Sequence, residues 1–132
     1  MKWRRGFKYQ LAEALYLQTD IYPVKDLISD FVILRTNGGL ELLKGFAWDG
    51  VSGPVIDRKT NHKGGAGHDG LYRLMRKGFL PSSKWRHADL MYAQWLRDAG
   101  AWSITIKIDM LGLKWANGYA ADPRNKSTVY EL

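Results

Sequence analysis

The chain has 132 residues, of which 45% are apolar, and it contains no cysteine. That length is enough for one domain with its own core, and the lack of cysteine excludes a disulfide framework and cysteine-ligated zinc. Lysine and arginine number 20 against 13 acidic residues, a formal charge of +7 that favours anionic partners such as nucleic acid, anionic lipid or cell-wall polymer.

The first half of the chain is predicted to be β. Residues 8–19 alternate imperfectly and are predicted as a strand, with a short helix as the alternative. The β-rich runs Phe31–Arg35 and Leu40–Ala47 flank Thr36-Asn37-Gly38-Gly39. Asn-Gly between apolar runs predicts a hairpin, because both residues tolerate a positive φ. The run Trp48–Pro54, with two glycines and a proline, predicts a tight loop.

The second half is predicted to be helical. After a polar connection, Gly64–Gly67 lead into a first helix of about residues 67–77, which ends at Gly78. Ser82 or Ser83 is expected to cap a second helix that stops before Gly100. A third helix has its apolar stripe at Ile104, Ile108, Leu111, Trp115 and Tyr119. Its first turn is ambiguous, because Ile104, Ile106 and Ile108 also alternate at strand spacing.

These elements predict one α+β domain over residues 1–132, with a small N-terminal antiparallel sheet packed on a C-terminal three-helix unit. The β-rich part covers about residues 1–57, the helical part about 65–121 and a tail 122–132. No apolar run approaches the ~20 residues that a membrane helix needs. The residues around Leu11–Leu17 contain Glu13 and no cleavage site follows them, so we expect no signal peptide.

A histidine and two carboxylates lie on the first two predicted helices. His68 and Tyr72 are four residues apart and share a face, while Asp69 lies about 100° around the helix. Asp89 borders the apolar stripe of the second helix, and the short connection between the helices makes them antiparallel neighbours. A buried carboxylate needs a partner. The nearest candidate is His68, with Tyr72 and Arg73 as alternatives.

This combination of residues permits base catalysis. An Asp89 carboxylate that accepts from one imidazole nitrogen makes the other nitrogen more basic towards water. Asp69, with loop carbonyls from Trp48 and Gly50, would give a hard cation its oxygen ligands. Two further acids that can reach the site from the loop are Asp49 and Asp57. A buried polar network that only fixes helix packing explains the same residues.

Three runs carry a resemblance to a known family. They are Phe46-Ala47-Trp48-Asp49-Gly50-Val51-Ser52-Gly53-Pro54, His68-Asp69-Gly70-Leu71-Tyr72 and Ala88-Asp89. Together they resemble the phage and prophage family called domain of unknown function 1353, over about residues 30 to 120. The resemblance implies a phage-related origin, and with it a location in the host cytoplasm or on the virion. The family has no settled activity.

The pattern His-Asp-x-x-Tyr on one helix, with an Asp from an antiparallel helix, is similar to the active-site core of phospholipase A2. That resemblance implies that His68 activates water, that Asp69 binds calcium, and that Asp89 orients His68 and is bonded by Tyr72. The loop 48–53 is the comparable segment to the calcium loop of that family.

The leading hypothesis is a phage-encoded, calcium-assisted hydrolase that acts on an ester or amide in lipid or cell envelope. His68, Asp89 and Tyr72 are its predicted catalytic residues, and no organic cofactor is expected. The alternative is a non-enzymatic phage accessory protein that binds a host or virion protein, in which the His/Asp cluster is structural. Binding to nucleic acid through the basic surface is a third possibility.

Overall fold

The structure, a computed structural model, describes residues 9–48 and 62–111. Within these ranges, antiparallel strands precede the helices, which confirms the predicted α+β class. The strands are β1 Tyr9–Gln10, β2 Leu15–Gln18, β3 Leu27–Ser29, β4 Val32–Leu34, β5 Gly39–Leu42 and β6 Ala47–Trp48. The helices are α1 His62–Arg76, α2 Trp85–Asp98 and α3, residues 103–111, with a short 3-10 turn Ser82–Lys84 before α2. No helix in these ranges is long and apolar enough to cross a bilayer.

The strands form two antiparallel sheets, one of β1 and β6 and one in the order β2-β5-β4-β3. In the larger sheet Val32 pairs with Leu42, and Leu34 pairs with Leu40. These four side chains are buried, whereas their neighbours along the strands are more exposed, because successive side chains of a strand point to opposite faces. The buried face packs into one core with residues of α1 and α2.

The predicted hairpin is present between β4 and β5. The Gly38 N–H donates to the Arg35 carbonyl at 2.9 Å, and the Arg35 N–H donates to the Gly39 carbonyl at 2.8 Å. Of the two turn residues Asn37 and Gly38, Gly38 alone has a positive φ, of 86°. This is a three-residue loop in which a tight turn is followed by a left-handed residue. Upstream, β1 and β2 confirm the strand alternative for the described part of residues 8–19.

Helix α1 begins at His62, so the prediction that Gly64–Gly67 are a lead-in to the helix is wrong. These small residues are helical and buried. A Cβ at Gly67 would lie 2.6 Å from both Leu17 Cδ1 and Trp95 Cζ3. The missing side chain therefore lets α1 approach β2 and α2 closely, and this packing outweighs the low helix propensity of glycine.

The ends of the helices follow the prediction, whereas the start of α2 does not. Gly78 and Gly100 have φ of 85° and 90° just beyond α1 and α2, the left-handed conformation of a helix C-terminus. The predicted caps, Ser82 and Ser83, lie instead at the 3-10 turn, and no side chain caps either helical segment there. Backbone bonds of the turn satisfy some of the first N–H groups in place of a serine side chain.

Residues 103–111 form helix α3, which resolves the ambiguity between helix and strand. The face of α3 that packs against the core is not the predicted one. The buried residues are Ile106 and Asp109. The predicted stripe is wrong for its described members, since the side chains that face solvent are Ile104, Ile108 and Leu111, at 60%, 58% and 68% exposure. Ile106 is buried in place of the predicted residues, because it packs in a second apolar cluster with residues of α2. Residues 115, 119 and the predicted tail lie outside the described ranges.

Candidate functional site

Asp89 of α2 meets α1 inside the helical hairpin. It is 5% exposed, and its Oδ1 lies 2.6 Å from His68 Nε2. The Tyr72 hydroxyl donates to the same oxygen at 2.9 Å. The predicted contact between His68 and Asp89 is confirmed, and so is the bond from Tyr72 to Asp89. The third candidate partner, Arg73, forms an ion pair with Asp69 instead.

The identity of the donor fixes the state of the imidazole. An ionised carboxylate only accepts, so His68 Nε2 must carry a hydrogen for the 2.6 Å contact to be a hydrogen bond. In the neutral ring, Nδ1 then carries the lone pair. In that state His68 Nδ1 is the ring nitrogen left to accept a hydrogen bond.

Tyr72 acts as a permanent donor to the carboxylate. Burial raises the pKa of the Tyr72 phenol, and the charge of Asp89 and its hydrogen bond raise that pKa further, against a smaller lowering effect of Arg76. Tyr72 consequently stays protonated at neutral pH and holds Asp89 Oδ1 from the side of α1. Two donors on one buried oxygen account for a carboxylate that is otherwise costly to bury.

A second buried carboxylate extends the network to α3. Tyr92 packs edge-on against the His68 ring, with centroids 5.6 Å apart, and its hydroxyl donates to Asp109 Oδ2 at 2.8 Å. Asp109 is 0% exposed. The sequence analysis assigned neither residue this role, because Tyr92 also fits the apolar stripe of the second helix. The available signal was an acid three residues after Ile106, on the face of α3 that packs.

Asp69 has cationic neighbours. Arg73 Nε lies 2.9 Å from Asp69 Oδ2, and Arg76 Nη2 lies 4.0 Å from Oδ1. Arg73 also donates to the Ala47 carbonyl and stacks 4.3 Å above the Phe46 ring. Asp69 thereby helps to hold α1 against β6 through an arginine.

The described residues do not fit a calcium ion at Asp69. Calcium takes six to eight oxygen ligands, whereas residues 9–48 and 62–111 contain no group of three or more acids or histidines that could hold a metal. Of the other predicted ligands, the carbonyl of Trp48 belongs to the last residue of β6, and Gly50 lies outside the described residues. So do the two accessory acids, Asp49 and Asp57. Calcium binding stays a prediction.

A groove runs between α2 and α3 beside this network. We call it the α2–α3 groove; its walls include Leu90 and Ala93 of α2 and Ile106 and Met110 of α3, and its volume is about 680 Å³. Asp89 also lines it. His68, at 2% exposure, does not line it. The groove therefore reaches the His68–Asp89 pair from the carboxylate side.

No protein-family model, no curated protein and no solved structure matches this chain. The likenesses to domain of unknown function 1353 and to phospholipase A2 accordingly stay resemblances of short motifs. The roles of His68, Asp89 and Tyr72 have to be argued from the geometry alone.

Proposed function

We propose that this chain is a hydrolase that cleaves an ester or amide bond in lipid or in the cell envelope, with His68 as its general base. The observation that carries the proposal is the 2.6 Å contact between His68 Nε2 and Asp89 Oδ1 across the helical hairpin. A buried carboxylate on one nitrogen orients the ring and raises the basicity of the other nitrogen. The motif resemblance supports a phage-encoded enzyme that acts in the host cytoplasm or on the virion.

The proposed reaction uses three side chains. His68 Nδ1 takes a proton from water as its oxygen attacks the carbonyl carbon, and Asp89 stabilises the imidazolium that forms. The imidazolium then returns that proton to the leaving group as the carbon–oxygen or carbon–nitrogen bond breaks. Tyr72 is proposed as a positioning residue, since its hydroxyl donates to Asp89. No step is assigned to a metal.

The test compares two histidine variants on a panel of chromogenic esters and amides and of phospholipids. For His68→Asn we expect kcat/KM per folded molecule to fall by about 100-fold or more, the lower range for loss of a general base. The control is His87→Asn, because His87 also pairs with a carboxylate, Asp20, at 2.6 Å but is partly exposed. We expect it to keep wild-type activity. Turnover that survives in His68→Asn, or turnover of no substrate at all, contradicts the proposal.

Calcium is tested on the same proteins. Thermal unfolding is followed with calcium and with EDTA, because an ion that binds the folded state raises the midpoint. A rise that is lost in Asp69→Ala would establish the predicted cation site. The ion would have to displace Arg73 and Arg76 from Asp69, and an unchanged midpoint would contradict the predicted site.

A second candidate is a non-enzymatic phage accessory protein that binds a host or virion protein. The burial of His68 favours it: the ring is 2% exposed, lies between Tyr72 and Tyr92, and does not line the groove. In that case the cluster only specifies helix packing. A folded wild-type protein that hydrolyses nothing on the panel, and captures one defined host or virion protein, would favour this candidate.

A further inference from the structure

The α2–α3 groove has the size and walls of a ligand site. Its volume of about 680 Å³ lies within the roughly 300–1,000 Å³ that is usual for small-molecule pockets. Apolar side chains line both sides, with Leu90 and Ala93 on α2 facing Ile106 and Met110 on α3. Leu90 is 64% exposed, and the contact of its apolar surface with water is unfavourable. An apolar ligand would gain free energy by covering it.

The same groove is lined by three cations and one acid. Arg86, Arg97 and Lys107 are exposed side chains on its walls. The acid, Asp89, is nearly buried and accepts from His68 and Tyr72. Because the cations outnumber the acid, the groove attracts negative charge.

The positions of the cations give a length for the charged part of the groove. Arg86 and Arg97 lie on one helix, eleven residues apart (97 − 86 = 11), and a rise of 1.5 Å per residue separates them by about 16 Å along the axis. Asp89 and Leu90 lie between them. The groove is thus an apolar trough with positive charge towards both ends. Arginine and lysine stems add apolar surface beneath their charged ends.

We infer that the α2–α3 groove binds a single-chain amphiphile with an anionic group, whose hydrocarbon chain lies on the apolar walls and whose anion pairs with a cation on the groove wall. A small anion alone would leave the apolar walls uncovered, and a neutral chain alone would leave the cations without partners. Asp89 joins this groove to His68. His68 itself does not line the groove, so the binding of this amphiphile goes beyond the proposed hydrolase and is inferred independently of it.

Binding is measured by titration calorimetry on the wild-type full chain, because none of the three probes contains the carboxylic ester or amide bond that the proposed hydrolase would cleave. Dodecyl phosphate, below its micelle concentration, is compared with dodecylphosphocholine, which has the same chain and no net charge, and with inorganic phosphate. We expect one-to-one binding of dodecyl phosphate, at least about tenfold tighter than the zwitterion, and no saturable binding of phosphate. Equal affinities for the two amphiphiles, or binding of phosphate alone, would overturn the inference.

Matched variants locate the site. Leu90→Asp places a charge on the apolar wall, and Ile28→Asp makes the same kind of change at a residue of β3 that is 61% exposed. Lys107→Glu reverses a groove cation, and Lys77→Glu does so at an exposed residue outside the groove lining. We expect the two groove variants to weaken dodecyl phosphate by about tenfold or more and the two controls to bind as the parent does. Unchanged binding by both groove variants would overturn the inference.

Two further results separate this inference from its alternatives. Sedimentation with anionic vesicles, without binding of the monomeric amphiphile, would overturn it in favour of a membrane-surface site. Hydrolysis of a short, water-soluble ester is measured separately on the wild-type chain. Amphiphile binding without turnover of any ester or amide supports the groove site and defeats the hydrolase, whereas ester turnover without amphiphile binding defeats the groove site alone.

Discussion

Two histidine–aspartate pairs in this protein have the same nitrogen–oxygen distance but differ in burial. His68 and Asp89 lie 2.6 Å apart with side chains 2% and 7% exposed, and His87 and Asp20 lie 2.6 Å apart with side chains 35% and 60% exposed. Replacing either histidine with alanine removes one partner and leaves the carboxylate. The change at His68 leaves a buried carboxylate and the space of a buried ring, whereas the change at His87 leaves an exposed carboxylate.

For His68→Ala the free energy of unfolding should fall by about 3–5 kcal/mol, because Asp89 loses its closest partner inside the hairpin. For His87→Ala the fall should be below about 1 kcal/mol, since water replaces the lost partner of an exposed acid. A domain of this size has a total stability of about 5–15 kcal/mol, so the first change is a large fraction of it. Activity comparisons at His68 must therefore be normalised to the folded fraction.

Urea unfolding followed by circular dichroism and tryptophan fluorescence gives both values. The double variant His68→Ala/Asp89→Ala should be destabilised by less than the sum of its single variants, because it also removes the carboxylate that His68→Ala deprives of one donor. Equal costs for His68→Ala and His87→Ala, within about 0.5 kcal/mol, would refute the argument from burial.

Two further predictions concern the same hairpin. The raised pKa of Tyr72, against an ordinary value of 10.0, means that above pH 10 the unfolded chain loses a proton that the folded chain keeps. With rising pH, the free energy of unfolding should then fall by up to about 1.4 kcal/mol per pH unit more in the wild type than in Tyr72→Phe. Equal falls for the two proteins between about pH 9 and 11, measured by urea unfolding, would contradict this. Gly67→Ala should lower the free energy of unfolding by about 1 kcal/mol or more, because the close contacts of the new Cβ with Leu17 and Trp95 outweigh the ~1 kcal/mol gain in helix propensity. A raised urea midpoint would show that α1 is not packed this closely.

Local signals in the sequence were sufficient for the turns and helix ends. Asn37-Gly38 between apolar runs specified the hairpin, and Gly78 and Gly100 specified where α1 and α2 end, because these positions depend on backbone conformation alone. The meeting of His68 and Asp89 was also predictable, since helical spacing and the cost of an unpaired buried acid need no knowledge of other elements.

Features set by distant residues were not predictable. Gly64–Gly67 read as a loop by propensity, but their helical state depends on Leu17 and Trp95, which lie far away in the sequence. Helix α3 carries apolar residues on two faces, and the face that packs was decided by Ile106 and its contact with α2. The α2–α3 groove follows from that choice of face, so it could not be seen before α3 was placed.

Two signals that the sequence contains, but that were not used for prediction, concern charged residues. Arg73 is four residues after Asp69, a spacing that pairs opposite charges on a helix. That ion pair competes with any cation at Asp69 and was open to prediction. Asp109 was also visible, but its partner, the Tyr92 hydroxyl, depends on how α2 and α3 cross.

The orientation of the His68 ring is the claim on which the proposed catalysis depends, and nitrogen NMR of the histidine side chains measures it directly. At neutral pH, the neutral His68 ring should be the tautomer with hydrogen on Nε2 and a lone pair on Nδ1, and Asp89→Asn should abolish that preference. A neutral ring with hydrogen on Nδ1 alone would mean that Nε2 does not donate to Asp89, and a ring with hydrogen on both nitrogens would have no lone pair for a base; either result would contradict the assignment of His68 as an oriented base.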